Sequence, residues 1–474
     1  MRYSPPGTPG SSVSVLPRYD NFIGGEWLAP TEGRYRAVVA PATAGTICET
    51  ADSSAADLEL ALDAAHVALD VWRECSRARR AEVLTAVADA IEDNAELLAV
   101  SESWETGRPI REALGVDIPL AADHFRNFAA VVRGAEWTVS GIDEDVLSCQ
   151  FREPLGVVAQ FLPVHFPVLV AAWNLAPALA VGNCSVVKPA SDASWSVLKL
   201  AEVIGEVLPP GVVNIVTGRG DGVGRDLDVG ARSPSVFFAD VLAEEDGFLD
   251  RAVEAMVLSA AGEGLVCTCP SRALVHEPAY DEFVGRALER IAELVVDDPL
   301  DTATRVGPRG GAEQLARLES GVDSARDGGA RVLIGGHRVD VGDEFSDGYF
   351  YAPTVLRGHH RMRVFREEVS GPVLAVTTFA DEEDAIAIAN DSRDGPGAGV
   401  WTRDGERAYR VGRAVKAGRV WTDCYHQYAA SARYACTPAT GAGREGHRLV
   451  LDQYSRLKSL VVSHGRRHSG PLAS

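Results

Sequence analysis

The chain has 474 residues, 46% of them hydrophobic, and a net charge of −21. That length suggests roughly two to three domains, and the acidity argues against nucleic acid and against anionic membranes as partners. No apolar run approaches membrane-span length, the start lacks a secretion-signal core, and the eight cysteines are scattered apart from Cys267 and Cys269, which points to a reducing cytoplasm.

Residues 1–18 are rich in Ser, Pro and Gly and read as a disordered tail. Tyr19 to Trp27 then reads as a hairpin turning at Gly24-Gly25. Leu58, Leu62, Ala65, Leu69 and Trp72 recur at steps of four and three, one apolar face of a helix with Ser53 or Ser54 as its cap. A second helix carries Val83, Val87 and Ile91 inward.

From 155 to 217 the pattern alternates. Gly156–Leu162 reads as a buried strand, Pro167–Val181 as a helix, and Ser185–Lys188 as a strand. Trp195–Val207 is a second helix and Val212–Val216 a third strand. Such alternation implies right-handed crossovers, a parallel sheet, and ligands beyond the carboxyl ends of the strands. No Gly-x-Gly-x-x-Gly follows the first strand. Glycines at 218, 220, 222 and 224 follow the third, and a loop is as good a reading for them as a phosphate cradle.

A further α/β stretch runs from about Val236 to Trp421, with strands at Val373–Thr377 and Gly399–Thr402. Within it, Gly262-Glu263-Gly264-Leu265-Val266-Cys267-Thr268-Cys269 is a small-residue turn. A cysteine there is open to substrate while its backbone N–H stays free for an oxyanion. Its alternative is a small buried apolar residue. No second ligand pair accompanies Cys267 and Cys269, so a metal site is not expected. Leu457–Val462 is a short terminal strand, and a solvated tail follows Ser463.

Seven ordered pieces resemble the aldehyde dehydrogenase superfamily, from Asn21 to about Ser463. They are Trp104-Glu105-Thr106-Gly107-Arg108-Pro109, Ala176–Ala180, Val187-Lys188-Pro189-Ala190, Pro209–Asn214, the Cys267 segment, Arg366–Val373 and Gly443-Arg444-Glu445. The Cys-Thr-Cys-Pro-Ser-Arg wording resembles the bacterial acetaldehyde and related short-chain aldehyde dehydrogenases. The resemblance implies an α/β fold of two parallel-sheet domains plus a small β element for oligomerisation. Residues 19–134 with 152–226 would form the cofactor-binding-type domain and 227–446 the cysteine domain. Residues 135–151 with 447–464 would form the oligomerisation element, leaving 465–474 as a tail.

The implied reaction is oxidation of an aldehyde to an acid with NAD or NADP, through a thiohemiacetal and a thioester on Cys267. By the same resemblance His165 stands at the oxyanion position, where the family carries asparagine, and Asp228 replaces the glutamate base. Lys188, Ser191 and Gly218 fall at the cofactor's adenosine end, and Glu368 where the nicotinamide ribose is held. Ser191, in place of an acidic residue, permits NADP. Between Gly218 and Leu227 the chain lacks the family's Phe-Thr-Gly-Ser-Thr strand and following helix, so the cofactor site is degenerate and partly deleted. Ser370 and the turn Tyr434–Pro438 are further departures. Two alternatives stand beside oxidation: a catalytically impaired scaffold or partner subunit, and a Cys267/His165 hydrolase without cofactor. The expected partners are a small aldehyde and copies of the same chain, as homodimer or homotetramer.

Overall fold

The computed structural model describes residues 1–219, 233–262, 268–367, 369, 371–391, 395–425, 427–435, 444–445 and 448–464. Its first core sits on a five-stranded sheet. Strands Val157–Phe161, Cys184–Lys188 and Val213–Ile215 run parallel, and the hairpin Asn21–Ile23/Glu26–Leu28 extends the Val213 edge in antiparallel fashion. Gly24 and Gly25 turn that hairpin at φ of 65° and 84°, a geometry that L side chains resist.

Helices flank this sheet, and the most apolar of them is a crossover helix. The helix Pro167–Val181 is apolar through most of its length, with proline at its start and Gly182 at φ 102° as its stop. The helix Ala55–Trp72 starts at Ser54, in a capping box with Asp57.

The second core lies on a seven-stranded sheet, in the order Arg331–Ile334, Thr354–Arg357, Val373–Phe379, Arg272–His276, Pro234–Phe237, Gly395–Trp401, Ala417–Thr422. All its pairs are parallel except the first. Val236, Leu274, Leu374, Val376 and Val400 on its central strands are fully buried, as a sheet covered on both faces requires. Leu300, Phe345 and Phe350, although late in the chain, pack into the first core.

A third, antiparallel sheet is formed by Thr138–Asp143, Val146–Pro154 and Ser455–Ser463. Among the described residues no helix is long and apolar enough to cross a membrane.

The expectation of a disordered N-terminal tail is overturned. Val13 is 1% exposed. Arg2 pairs with Asp298 at 2.5 Å and also with Glu344, Tyr3 N donates to Leu300 O at 3.0 Å, and the Ser14 carbonyl accepts from buried Lys199. The glycines that suggested disorder are turn residues, Gly7 and Gly10 at φ 76° and 87°. The strap's partners lie between 185 and 342 positions away, so no local pattern could reveal them. The tail expected at 465–474 lies outside the described residues.

Candidate active site

The turns bearing His165, Lys188 to Ser191 and Gly218 gather at the carboxyl edge of the five-stranded sheet. His165 lies between the strand Val157–Phe161 and the helix Pro167–Val181. Burial, and then the nearby Arg108 charge, pushes its imidazole down to about 4, so it is neutral at ordinary pH and has one N–H to donate. Phe166 follows in the left-handed region at φ 47°, a costly geometry for a bulky residue.

Two glutamates on one helix hold this edge. The helix Ala95–Thr106 buries both Glu102 and Glu105. Glu102 Oε2 accepts from Val168 N at 3.0 Å, capping the helix that starts beside His165. Glu105 accepts from Trp195 N at 2.6 Å and from Ser196 N at 2.8 Å, capping the next crossover helix. Each carboxylate thus meets the positive end of a helix dipole. Burial nevertheless pushes Glu102 up to about 8 and Glu105 to about 7. Among the described residues, Glu102 Oε1 is buried without a hydrogen-bond partner.

Past Gly107, at φ 81°, Arg108 turns back over the site. Its guanidinium pairs with Asp117 and with Glu112 at 3.0 Å and lies 4.4 Å from the Phe166 ring centroid. Arg108, Asp117, Leu120, Phe166, Gly262 and Tyr428 help line a cavity of about 90 Å3.

Cys267, Asp228 and Glu368 lie outside the described residues, as do the glycines at 220, 222 and 224, Ser370, and 436–438 of the altered turn. Both flanks of the cysteine segment are described. Gly262 has no room for a Cβ, which would fall 2.3 Å from Cys269 Sγ, so the two ends of segment 263–267 meet. Thr268, 2% exposed, is held twice: its carbonyl accepts from Tyr425 Oη at 2.5 Å, and its hydroxyl bonds to Tyr428. Gly397 leaves the space this needs, since a Cβ there would lie 2.8 Å from Trp421 and 3.3 Å from Thr268.

Behind Tyr428, Trp173 lies at 6.2 Å and is stacked at 5.0 Å on His124. Burial pushes His124 down to about 4.

Lys188 ends its strand, 5% exposed. Ser191 Oγ donates to the Gly218 carbonyl at 3.0 Å, and Gly218, at φ 144°, would press a Cβ to 2.9 Å from Ser53 N. The structure therefore brings Lys188, Ser191 and Gly218 to the same sheet edge as His165. Sequence reasoning missed Glu102, Tyr425 and Tyr428, and quoted Glu105 and Arg108 only within a matching motif. The available signal was two glutamates three apart on an otherwise buried helix.

The family model described as the aldehyde dehydrogenase family matches residues 27–239 and 227–460. The fluoroacetaldehyde dehydrogenase of Streptantibioticus cattleyicolor is 48% identical, with 98% of each chain covered. The long-chain-aldehyde dehydrogenase of an Acinetobacter species is 45% identical, covering 99% of this chain and 100% of that protein. That alignment runs to 505 positions against 474 residues here, so the relative carries residues with no counterpart in this chain. The two matched stretches overlap at 227–239. The solved structure of the indole-3-acetaldehyde dehydrogenase of P. syringae, in complex with NAD+ and IAA, superposes with TM-score 0.89 at 30% identity, covering 95% of this chain and 97% of that one.

Proposed function

Because this chain belongs to the aldehyde dehydrogenase family, we propose that it oxidises a small aldehyde to the carboxylic acid with NAD or NADP, using Cys267 as nucleophile. One observation carries this reading: the cavity of about 90 Å3 includes Gly262 and Tyr428 in its wall, and Tyr428 bonds Thr268. The described residue before the cysteine segment thus lines the cavity, and the one after it is bonded to a residue that does.

The chain's own groups divide the work. The Cys267 thiolate adds to the aldehyde carbon, and the oxygen gains the electron pair of the carbonyl π bond. His165, neutral above about pH 4, donates one hydrogen bond to that oxyanion. Asp228 takes a proton from the water that later cleaves the thioester, releasing acid and thiol. NAD or NADP, when bound, supplies the hydride acceptor.

The residues present fit the adenosine-ribose end of that cofactor. Lys188 is buried at a strand's carboxyl end, and Ser191 with Gly218 closes the loop beside it. Among the described residues, the Val168, Trp195 and Ser196 amides at the starts of the crossover helices serve buried glutamates. A pyrophosphate would have to be held from elsewhere in the chain.

The Cys267/His165 hydrolase has less support, because an imidazole that stays neutral to about pH 4 is a weak base for a thiol. Self-association through the third sheet completes the proposal. Val139, Ile142, Leu457, Leu460 and Val461 there are 47–60% exposed, an apolar surface that pairing with a second copy would cover. Among the described residues Cys48, Cys75, Cys149, Cys184 and Cys424 are free thiols, in keeping with a cytoplasmic setting.

The test is aldehyde-dependent formation of reduced nicotinamide, compared between wild type and Cys267→Ser.

A further inference from the structure

Among the described strands, Val157–Phe161 forms one margin of the five-stranded sheet and pairs in parallel with Cys184–Lys188 alone. At the ends of that ladder Cys184 N donates to the Gly156 carbonyl at 3.0 Å, and Leu162 N donates to the Lys188 carbonyl at 2.9 Å. Bonded residues alternate along a parallel ladder. Gly156, Val158, Gln160 and Leu162 therefore turn their backbone polar groups inward, while Val157, Ala159 and Phe161 turn theirs away from the sheet. Among the described residues, no hydrogen bond reaches those outward groups. Ala159 is exposed and Phe161 is 41% exposed, so the margin is open at its middle and at its carboxyl end.

An open margin is a template for another strand, and folded chains blunt such margins with charges, prolines or bulges. Among the described edge strands of three or more residues, each of the others carries a charge, at Glu26, Arg36, Asp143, Arg331, Arg419 or Arg456. Val157–Phe161 has neither charge nor proline, and its register is unbroken.

We infer that the edge Val157–Phe161 is an interface where two copies of this chain pair as antiparallel strands about a two-fold axis at Ala159, joining their five-stranded sheets into one. Two observations favour a second copy as the occupant. A net charge of −21 opposes the approach of copies, and this uncharged strand lets two meet without setting like charges opposite each other. The strand also complements itself. Turned about Ala159, it brings only methyl groups to the axis and sets Phe161 opposite Val157 of the second copy, an aromatic-to-β-branched pair that stabilises neighbouring strands. The three outward residues of each copy then exchange about six hydrogen bonds in all. This contact is separate from the third-sheet face and does not depend on the oxidation chemistry.

The test places a cysteine at the axis of the full chain. Opposed Cα atoms of a hydrogen-bonded antiparallel pair lie about 5.5 Å apart, within disulfide reach. Under mild oxidation Ala159→Cys should give about tenfold or more cross-linked dimer than wild type, read on a non-reducing gel and mapped by peptide mass spectrometry. Phe161→Cys alone lies about 13 Å from its copy in this register and should stay at the wild-type level. Adding Val157→Cys to it should restore the cross-link. In the unsubstituted chain, amide exchange of a peptide spanning 156–162 should slow about tenfold from dilute to concentrated protein. No cross-link at 159, an equal one from Phe161→Cys alone, or fast exchange at every concentration would each overturn the inference. Slow exchange independent of concentration would overturn it too, because the edge would then be held within a single chain.

Discussion

Tyr428 and Thr268 share a hydroxyl-to-hydroxyl hydrogen bond, joining the segment after the strand Ala417–Thr422 to the residue that follows Cys267. Tyr425 adds a second tie from the same segment, to the Thr268 carbonyl. The thiol's neighbour is therefore fixed by a part of the chain some 160 residues further on.

Removing the buried donor at Tyr425 leaves the Thr268 carbonyl unsatisfied. Tyr425→Phe is expected to lower unfolding stability by about 1–3 kcal/mol, measured by urea denaturation. If the tie also positions the thiol, kcat falls by about one hundredfold, the scale of a 1 Å misplacement. Stability loss with unchanged kcat would leave the tie a purely structural one.

Stability should fall with rising pH above neutrality. Glu102 and Glu105 titrate near 8 and 7 in the folded chain, above their ordinary value of 4.5. The folded state therefore holds protons there that the unfolded state releases. Their stabilising contribution is complete below 4.5 and lost as pH rises through 7 to 8. His124 and His165, pushed down to about 4 from 6.5, have the opposite sign but act only below 6.5. Urea midpoints at pH 6.5 and 8 should show the decline, and Glu102→Gln should flatten it. A midpoint that rises over this interval would contradict the assignment.

These glutamates also show why part of the fold was legible and part was not. The helix Pro167–Val181 was readable to its ends because its stop signals are local: proline at the start, glycine just past the last turn. The hairpin at Gly24-Gly25 was readable for the same reason. The caps supplied by Glu102 and Glu105 span 66 and 90 residues to their partners, beyond the reach of any periodicity. The ordered N-terminal strap escaped for the same cause. At the site, spacing and resemblance singled out Lys188, Ser191, Gly218 and His165, which share one edge. The aromatic and ionic frame around them became visible only in three dimensions.

His165 offers a direct test of oxyanion binding. His165→Ala should cut kcat by about one hundredfold or more, the typical loss for one oxyanion donor, while His165→Asn, which restores an amide donor, should retain or raise it. Because the imidazole is neutral above about pH 4, the rate profile should show no inflection at 6–7 that disappears in His165→Asn. Such an inflection would mean the ring is charged in the working protein.

The third sheet predicts its own outcome. Lysine at Val461, 59% exposed on the strand Ser455–Ser463, should shift the species seen by light scattering towards monomer with little change in folding. An unaltered assembly would place the interface elsewhere.

The most direct measurement is rapid mixing of the full chain, saturated with NAD or NADP, with acetaldehyde or propanal. A burst of reduced nicotinamide approaching about one equivalent per Cys267 thiol is expected, ahead of slower thioester hydrolysis, with no burst from Cys267→Ser. Failure to bind either dinucleotide, or an equal burst from the serine variant, would contradict it.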